Sequence, residues 1–353
     1  MIDDRKDDVL KAGVPEDGLS GVEKPEAEVQ ETGEPATPEQ ALAEQESLEE
    51  VAPEAEELTH KPVLTAEVLQ YLQLKPNGIY LDVTFGSGGH SRAILEAEPT
   101  ATVIAMDWDA VTLEAFGYPM QDEFGERLEL VWGNFALLYK IAKKKNFPHF
   151  DGILADFGTS QVQIVNRPGL SIFRDAPLDM RMAPGHQVIT AEHVLARSTE
   201  EKLREIFWQL GEEPYTRQIA KAIIEERRKR PLKTTKQLAE LITKVVPYSH
   251  KKRRIHPATR VFQALRLYVN HELSNISAFL PAARDLLAPE GRLVCISFHS
   301  LEDRLVKQFF KNEERTEALE IVTNGVVMAS EEELAKNPSS RSAKLRVAKL
   351  IKS

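Results

Sequence analysis

The stretch Gly78-Ile79-Tyr80-Leu81-Asp82-Val83-Thr84-Phe85-Gly86-Ser87-Gly88-Gly89-His90 constrains the fold more than any other part of the chain. Its first half follows Pro76-Asn77-Gly78, is apolar and β-branched, and predicts a buried strand. A glycine loop comes next, and helix-forming residues resume from His90. Strand, glycine loop and helix in this order open a doubly wound α/β sheet, in which ligands sit outside the carboxyl ends of the strands. Glycine reaches positive φ without a Cβ penalty and lets a ligand approach the backbone. The third glycine of the dinucleotide fingerprint is missing, and no Gly-Lys-Ser/Thr follows, so the loop is not a P-loop. Alone, such a loop is as compatible with a structural turn as with a binding site.

The following strands narrow the choice. Thr102 to Met106 predicts a second strand ending at Asp107, 19 positions after Gly88. That is close to the spacing at which an acid bonds ribose hydroxyls. Leu128 to Phe135 predicts a third strand, and Asp151 to Asp156 a fourth. Asp82, Asp107 and Asp156 thus lie in or at the ends of three strands, where ligands bind.

Charge divides the chain. Residues 1–59 hold 19 acidic and 4 basic residues, five prolines and no aromatic residue, whereas the remainder has 36 acidic and 41 basic residues. The acidic segment cannot bury enough apolar surface to fold and is expected to be disordered. The mildly basic body is compatible with nucleic acid. The single cysteine, Cys295, excludes a disulfide framework and a multi-cysteine metal site, and sits in a run that predicts a buried strand, Arg292 to Phe298. No stretch predicts a membrane span, the N-terminus has no apolar signal core, and the cytoplasm is the expected location.

After Asp156 the strand pattern is interrupted. Residues 157–189 are loop-like and a helical pattern runs from Thr190 to about Lys252. Ser198-Thr-Glu-Glu201 and Thr234-Thr-Lys-Gln237 read as capping boxes, Gly211 as a helix stop, and Thr65 as the cap of an early helix. Two helices, Ala258 to Leu273 and Ser274 to Leu287, lead back to the sheet. Asn324-Gly325 is a hairpin signal, and Lys344 to Ile351 predicts a last strand. The expected layout is a tail over 1–59, a sheet domain from 60–165 and 256–353, and a helical insertion over 166–255 that overhangs the ligand edge.

Seven motifs then stand in register. They are His60-Lys-Pro-Val63, Thr84-Phe-Gly-Ser-Gly-Gly-His-Ser91, Asp151-Gly-Ile-Leu-Ala-Asp156, Pro177-Leu-Asp-Met-Arg-Met182, His256 to Arg266, Ser297-Phe-His-Ser-Leu-Glu-Asp-Arg304 and Asn337 to Arg346. From about His60 onward the chain closely resembles the bacterial small-subunit ribosomal RNA cytosine-N4 methyltransferases, the MraW or RsmH family. The resemblance implies a Rossmann-like class I methyltransferase sheet with an inserted helical substrate-recognition domain. It implies S-adenosylmethionine as methyl donor with no metal, and 16S ribosomal RNA, within the small ribosomal subunit, as partner. The substrate implied is a decoding-region cytidine, methylated on its exocyclic amine, and a homodimer is compatible. The resemblance also implies donor contacts at Gly88, Gly89, His90, Asp107, Phe135, Asp156 and Gln163. The family's usual Asp-Leu-Gly-Val-Ser-Ser-Pro-Gln reads Asp156-Phe-Gly-Thr-Ser-Gln-Val-Gln163 here, a departure nearest the target base.

The cytosine amine is a poor nucleophile, because its lone pair is delocalised into the ring. An acceptor on its N–H favours the tetrahedral form and later takes the proton. No Asp/Asn-Pro-Pro-aromatic loop is present to do this, so Asp156 is the first candidate, with pure donor binding its rival role. His299, after the fifth strand, is either a second candidate base or a helix cap. Phe173 or Phe157 either stacks on the flipped base or packs internally. Arg227 and Arg228, with Lys251, Lys252, Arg253 and Arg254, form basic clusters on the insertion that are either solvated helix ends or phosphate contacts. Two other functions fit the same fold. A nicotinamide dehydrogenase is disfavoured by the missing glycine, and a non-catalytic RNA-binding or ribosome-assembly protein is suggested by the altered loop.

Overall fold

The computed structural model describes residues 61–246 and 256–351. The acidic segment 1–59, with its expected disorder, and the basic run Lys251–Arg254 lie outside these residues. The strands are β1 (Ile79–Asp82), β2 (Thr102–Asp107), β3 (Leu128–Trp132), β4 (Phe150–Asp156), β5 (Leu287–Ser297), β6 (Leu319–Ile321) and β7 (Lys344–Leu350). They form one sheet of order β3-β2-β1-β4-β5-β7-β6. The pairs from β3 across to β5 are parallel, and β7 inserts antiparallel between β5 and β6. The order reverses at β1 and β4, which is where a doubly wound sheet opens its binding crevice.

Period-two alternation decides what packs on each face. Val103 and Ala105 of β2 meet Val68 and Leu72 of α1 (Thr65–Leu72) and Ile94 and Leu95 of α2 (Gly89–Ala97). Met120, from α3 (Tyr118–Phe124), joins them. Ile104 and Met106 point the other way, toward Leu138 of α4 (Leu138–Lys145) and, much later in the chain, Phe279 and Phe310. Cys295 lies in that second core, fully buried, and burial pushes its thiol up.

The insertion has its own apolar core. It begins after α5 (Gln161–Asn166) and comprises α6 (Ala191–Arg197), α7 (Glu200–Gly211), α8 (Thr216–Lys229) and α9 (Thr235–Val245). Leu203, Phe207, Ile219, Ile223, Leu238 and Ile242 pack together there. Val261 and Leu265 of α10 (Thr259–Val269) complete this core, so α10 packs with the insertion. α11 (Glu272–Asp285) and α12 (Ser300–Arg315) flank β5, and α13 (Glu331–Lys336) precedes β7.

Several local expectations shift. The cap of α1 is Leu64 in the left-handed region (φ 53°), while the Thr65 hydroxyl donates to Pro62 O at 3.1 Å. Thr199, not Ser198, caps α7, accepting from Lys202 N. Gly211 is the last residue of that helix rather than its stop. A Cβ there would lie 2.5 Å from Arg260 O, so the glycine lets α7 and α10 approach closely. The break between α10 and α11 falls at Asn270-His271. β5 runs through Pro289-Glu-Gly291 as an irregular strand start. Gly325 turns the chain (φ 87°), but β6 and β7 are separated by α13 rather than joined in a tight hairpin. The capping box at Thr234 and Gln237 forms as expected.

Candidate active site

A cavity of about 460 Å³ opens at the carboxyl edge of β1, β2, β4 and β5. The insertion side closes it with Met180, Met182, Phe262 and Arg266. The chain's early and late segments close another wall. Pro62 and Val63 line the cavity beside Ser339 and Ser342, held by Leu64 N donating to Glu333 Oε1 (2.6 Å) and Asn337 Nδ2 donating to Lys61 O (3.1 Å).

The glycine loop is pinned from beneath. Asp82 is buried and accepts from Ser91 Oγ at 2.7 Å and Thr84 N at 3.1 Å, tying β1 to α2. Burial pushes its carboxyl up. Gly89 lies against the Pro62 ring and lines the cavity. Gly88 does not line it. It caps α2 at φ 81°, and an added Cβ would stand 2.7 Å from the Phe85 ring and 2.9 Å from Met120 Sδ. Its role is to turn the loop.

Asp107 accepts from Gly86 N through Oδ2 and from Asp109 N through Oδ1, both at 2.9 Å. Being only 7% exposed, its carboxyl is pushed up by burial to about 7, against the pull of those two N–H groups. Asp109 in turn pairs with Arg167, which fastens the start of the insertion beside this acid. Phe135 follows β3 and packs edge-on against Phe279, 5.5 Å between centroids. Gln163 lines the cavity and closes a capping box with Ser160 at the head of α5.

Among the described residues, five of the six buried side-chain polar atoms without a hydrogen bond belong to residues that line this cavity, Glu213 Oε2 being the exception. Both ring nitrogens of His90 and Oδ1 of Asp156 are buried and make no hydrogen bond. His90 Nε2 stands 3.6 Å from Asp156 Oδ2, while the Asp156 backbone N–H donates to Thr84 Oγ1 at 2.7 Å. Buried polar atoms are normally paired, so orphans on residues that line a cavity are available to a ligand.

A second polar group lines the same cavity above β5. Arg266 holds Glu272 through two hydrogen bonds, at 3.0 and 3.1 Å. His299 is the N-cap of α12, its Nδ1 facing Glu302 N at 3.4 Å. Glu302 is fully buried, and its Oε2 accepts from Phe298 N at 2.8 Å. Burial pushes the Glu302 carboxyl up, but His299, Arg266 and the Phe298 N–H outweigh it and hold it below the ordinary range. Burial raises Glu272 despite Arg266. Of these four residues the sequence reading singled out only His299 as a candidate. Glu302 reads as an ordinary third-position capping acid, and nothing local signals that it faces a cavity.

The remaining candidates separate. Phe157 is buried against Phe135 and Phe279, whereas Phe173 is 83% exposed beside His256. Arg227 Nη1 donates to the carbonyls of Leu195 and Ser198, both at 2.7 Å, and so serves the insertion's own structure. Arg228 is exposed. Lys251, Lys252, Arg253 and Arg254 lie outside the described residues. Among the described residues no group of three or more His, Cys, Asp or Glu is placed to hold a metal ion, and no helix is long and apolar enough to cross a membrane.

A sheet of this order, with one antiparallel strand inserted next to its far edge and its crevice at a glycine loop, defines a Rossmann-like class I methyltransferase. Residues 57–351 match the model of the MraW methylase family, and the chain belongs to that family. Among its relatives is the ribosomal RNA small subunit methyltransferase H of Nostoc sp. (strain PCC 7120 / SAG 25.82 / UTEX 2576). It is 45% identical over 293 residues, covering 82% of this chain and 92% of that protein. The protein of the same name from Thermomicrobium roseum is 44% identical over 310 residues, covering 83% and 94%.

Proposed function

We propose that this chain methylates the exocyclic N4 amine of a cytidine in the decoding region of 16S ribosomal RNA, with S-adenosylmethionine as donor. The observation that carries the reading is the set of unpaired polar atoms on His90 and Asp156 at the β1/β4 crevice. The cavity residues fit the donor. Asp107 offers a carboxylate to ribose hydroxyls, Phe135 an apolar wall to adenine, and Gly89 a bare backbone beside which the donor can lie. Gln163 and His90 face the same space, while Gly88 acts through loop shape alone. When bound, the sulfonium supplies an electrophilic methyl group.

The chain's own residues then have two tasks. Alignment of amine and methyl comes from the cavity walls, and orientation of this kind supplies much of a rate enhancement. Asp156 Oδ1 accepts a hydrogen bond from one amine N–H, which localises the nitrogen lone pair, and takes that proton as the N–C bond forms. The exposed Phe173 lies on the insertion side and is free to stack on nucleic acid, and Arg228 to meet a phosphate.

The test is incubation with methyl-labelled donor and, in parallel, unmodified small subunits, naked ribosomal RNA and DNA. Label recovered as N4-methylcytidine from RNA is the expected result. Donor binding without label on any substrate would overturn the reading and favour a non-catalytic RNA-binding protein.

A further inference from the structure

The mechanism above uses Asp156 and leaves a second pair of orphaned atoms unexplained. His299 Nε2 and Glu302 Oε1 are buried, 3.2 Å apart, and neither makes a hydrogen bond. The tautomer of the ring follows from its other contact. His299 Nδ1 accepts from the Glu302 backbone N–H, so the neutral ring carries its proton on Nε2. Glu302 Oε2 is occupied by Phe298 N–H, which leaves Oε1 opposite His299 Nε2, the two within ion-pair range but with no hydrogen bond between them. Arg266, already gripped by Glu272, supplies the positive charge behind them. The cavity wall therefore carries one donor and one acceptor side by side.

Position assigns them to the acceptor substrate rather than the methyl donor. The glycine loop and Asp107 belong to β1 and β2, on one side of Asp156. His299 and Glu302 follow β5, whose Ile296 is in register with Asp156 on the other side. We infer that His299 and Glu302 read the edge of the target base, His299 Nε2–H donating to the ring N3 of cytosine and Glu302 Oε1 accepting from its N4 amine. His299 is then a recognition residue rather than the base that takes the proton. The second N4 hydrogen remains for Asp156. Uracil presents the reverse pattern, an N3–H donor and an O4 acceptor, and would meet two like-with-like contacts. The inference rests on the cytosine reading proposed above.

Two substitutions test it while keeping the helix cap. Glu302→Gln still satisfies a capping box but turns the free acceptor into a donor. His299→Asn still caps but withdraws the ring donor. Filter binding is measured with RNA fragments spanning the base that the wild-type protein labels, carrying either C or U there, in the presence of S-adenosylhomocysteine. Wild-type protein is expected to prefer C by about tenfold or more. Glu302→Gln should bring that ratio to near unity or invert it, and His299→Asn should lower affinity for the C fragment alone. Unchanged S-adenosylhomocysteine affinity reports that each variant is folded. A wild-type C-to-U ratio retained in either folded variant, or no preference in the wild type, overturns the inference. Absence of label on any RNA would overturn the methyltransferase reading as well, and is seen separately in the labelling experiment.

Discussion

Asp107 should make donor binding and fold stability respond to pH with opposite signs. Its carboxyl is raised from 3.8 to about 7 because burial disfavours the charge more than the Gly86 and Asp109 N–H groups favour it. A rise of that size, at about 1.4 kcal/mol per unit, corresponds to roughly 4 kcal/mol. The folded state holds the proton more tightly than the unfolded chain, so this stability is fully present below about pH 4. It is lost progressively as pH rises through about 7. Ribose hydroxyls, in contrast, bond best to the ionised form. Affinity for S-adenosylhomocysteine should therefore rise about tenfold per pH unit up to about pH 7 and level off above it. Asp107→Asn should flatten both dependences. It should also weaken binding at pH 8 by roughly 10- to 100-fold, the worth of one charge-assisted hydrogen bond. Calorimetric titration between pH 5.5 and 8 measures the affinities, and thermal melting of the ligand-free protein over the same range measures stability. Wild-type affinity that stays flat across this range, or an Asn variant that keeps the wild-type slope, would refute the assignment.

Asp156→Asn should lower turnover about 10²- to 10⁴-fold, the usual weight of a positioned proton acceptor, as read in single-turnover methyl transfer. Gly88→Ala should cost about 1–3 kcal/mol, because the new Cβ meets Phe85 at a positive φ. The urea midpoint should fall with an unchanged slope. Arg228→Ala should reduce the salt dependence of RNA binding by about one unit in log–log slope, whereas Arg227→Ala should leave that slope unchanged and lower the melting temperature instead.

The sheet was legible because buried parallel strands are short apolar runs with acids at their ends. β2 and β4 fall where Thr102–Asp107 and Asp151–Asp156 predict them, within a residue. Six of the seven expected donor contacts line one cavity, since carboxyl ends of neighbouring parallel strands necessarily converge. Gly88 stands apart from the other six, because what its missing Cβ makes room for is the Phe85 ring, which sequence does not show. Gly211 misled for a similar reason: its reason for being glycine is Arg260, 49 positions away in the chain. The group formed by Arg266, Glu272, His299 and Glu302 was hidden because each member has a sufficient local explanation. Only the meeting of α10, α11 and the start of α12 at one cavity turns these four residues into one wall.

The bonds from Glu333 and Asn337 back to Leu64 and Lys61 also bear on how the protein is made. Translation delivers Pro62 and Val63 first and Ser339 and Ser342 nearly three hundred residues later, yet these line one cavity. β7, which must slot between β5 and β6, leaves the exit tunnel last of all the strands. Until then a nascent chain holds β5 with a bare edge and the cavity lacking a side. A chain cut short after α12 would keep the glycine loop, the acids and the insertion, and still offer only an open trough where the chain that runs on through β7 has a walled cavity.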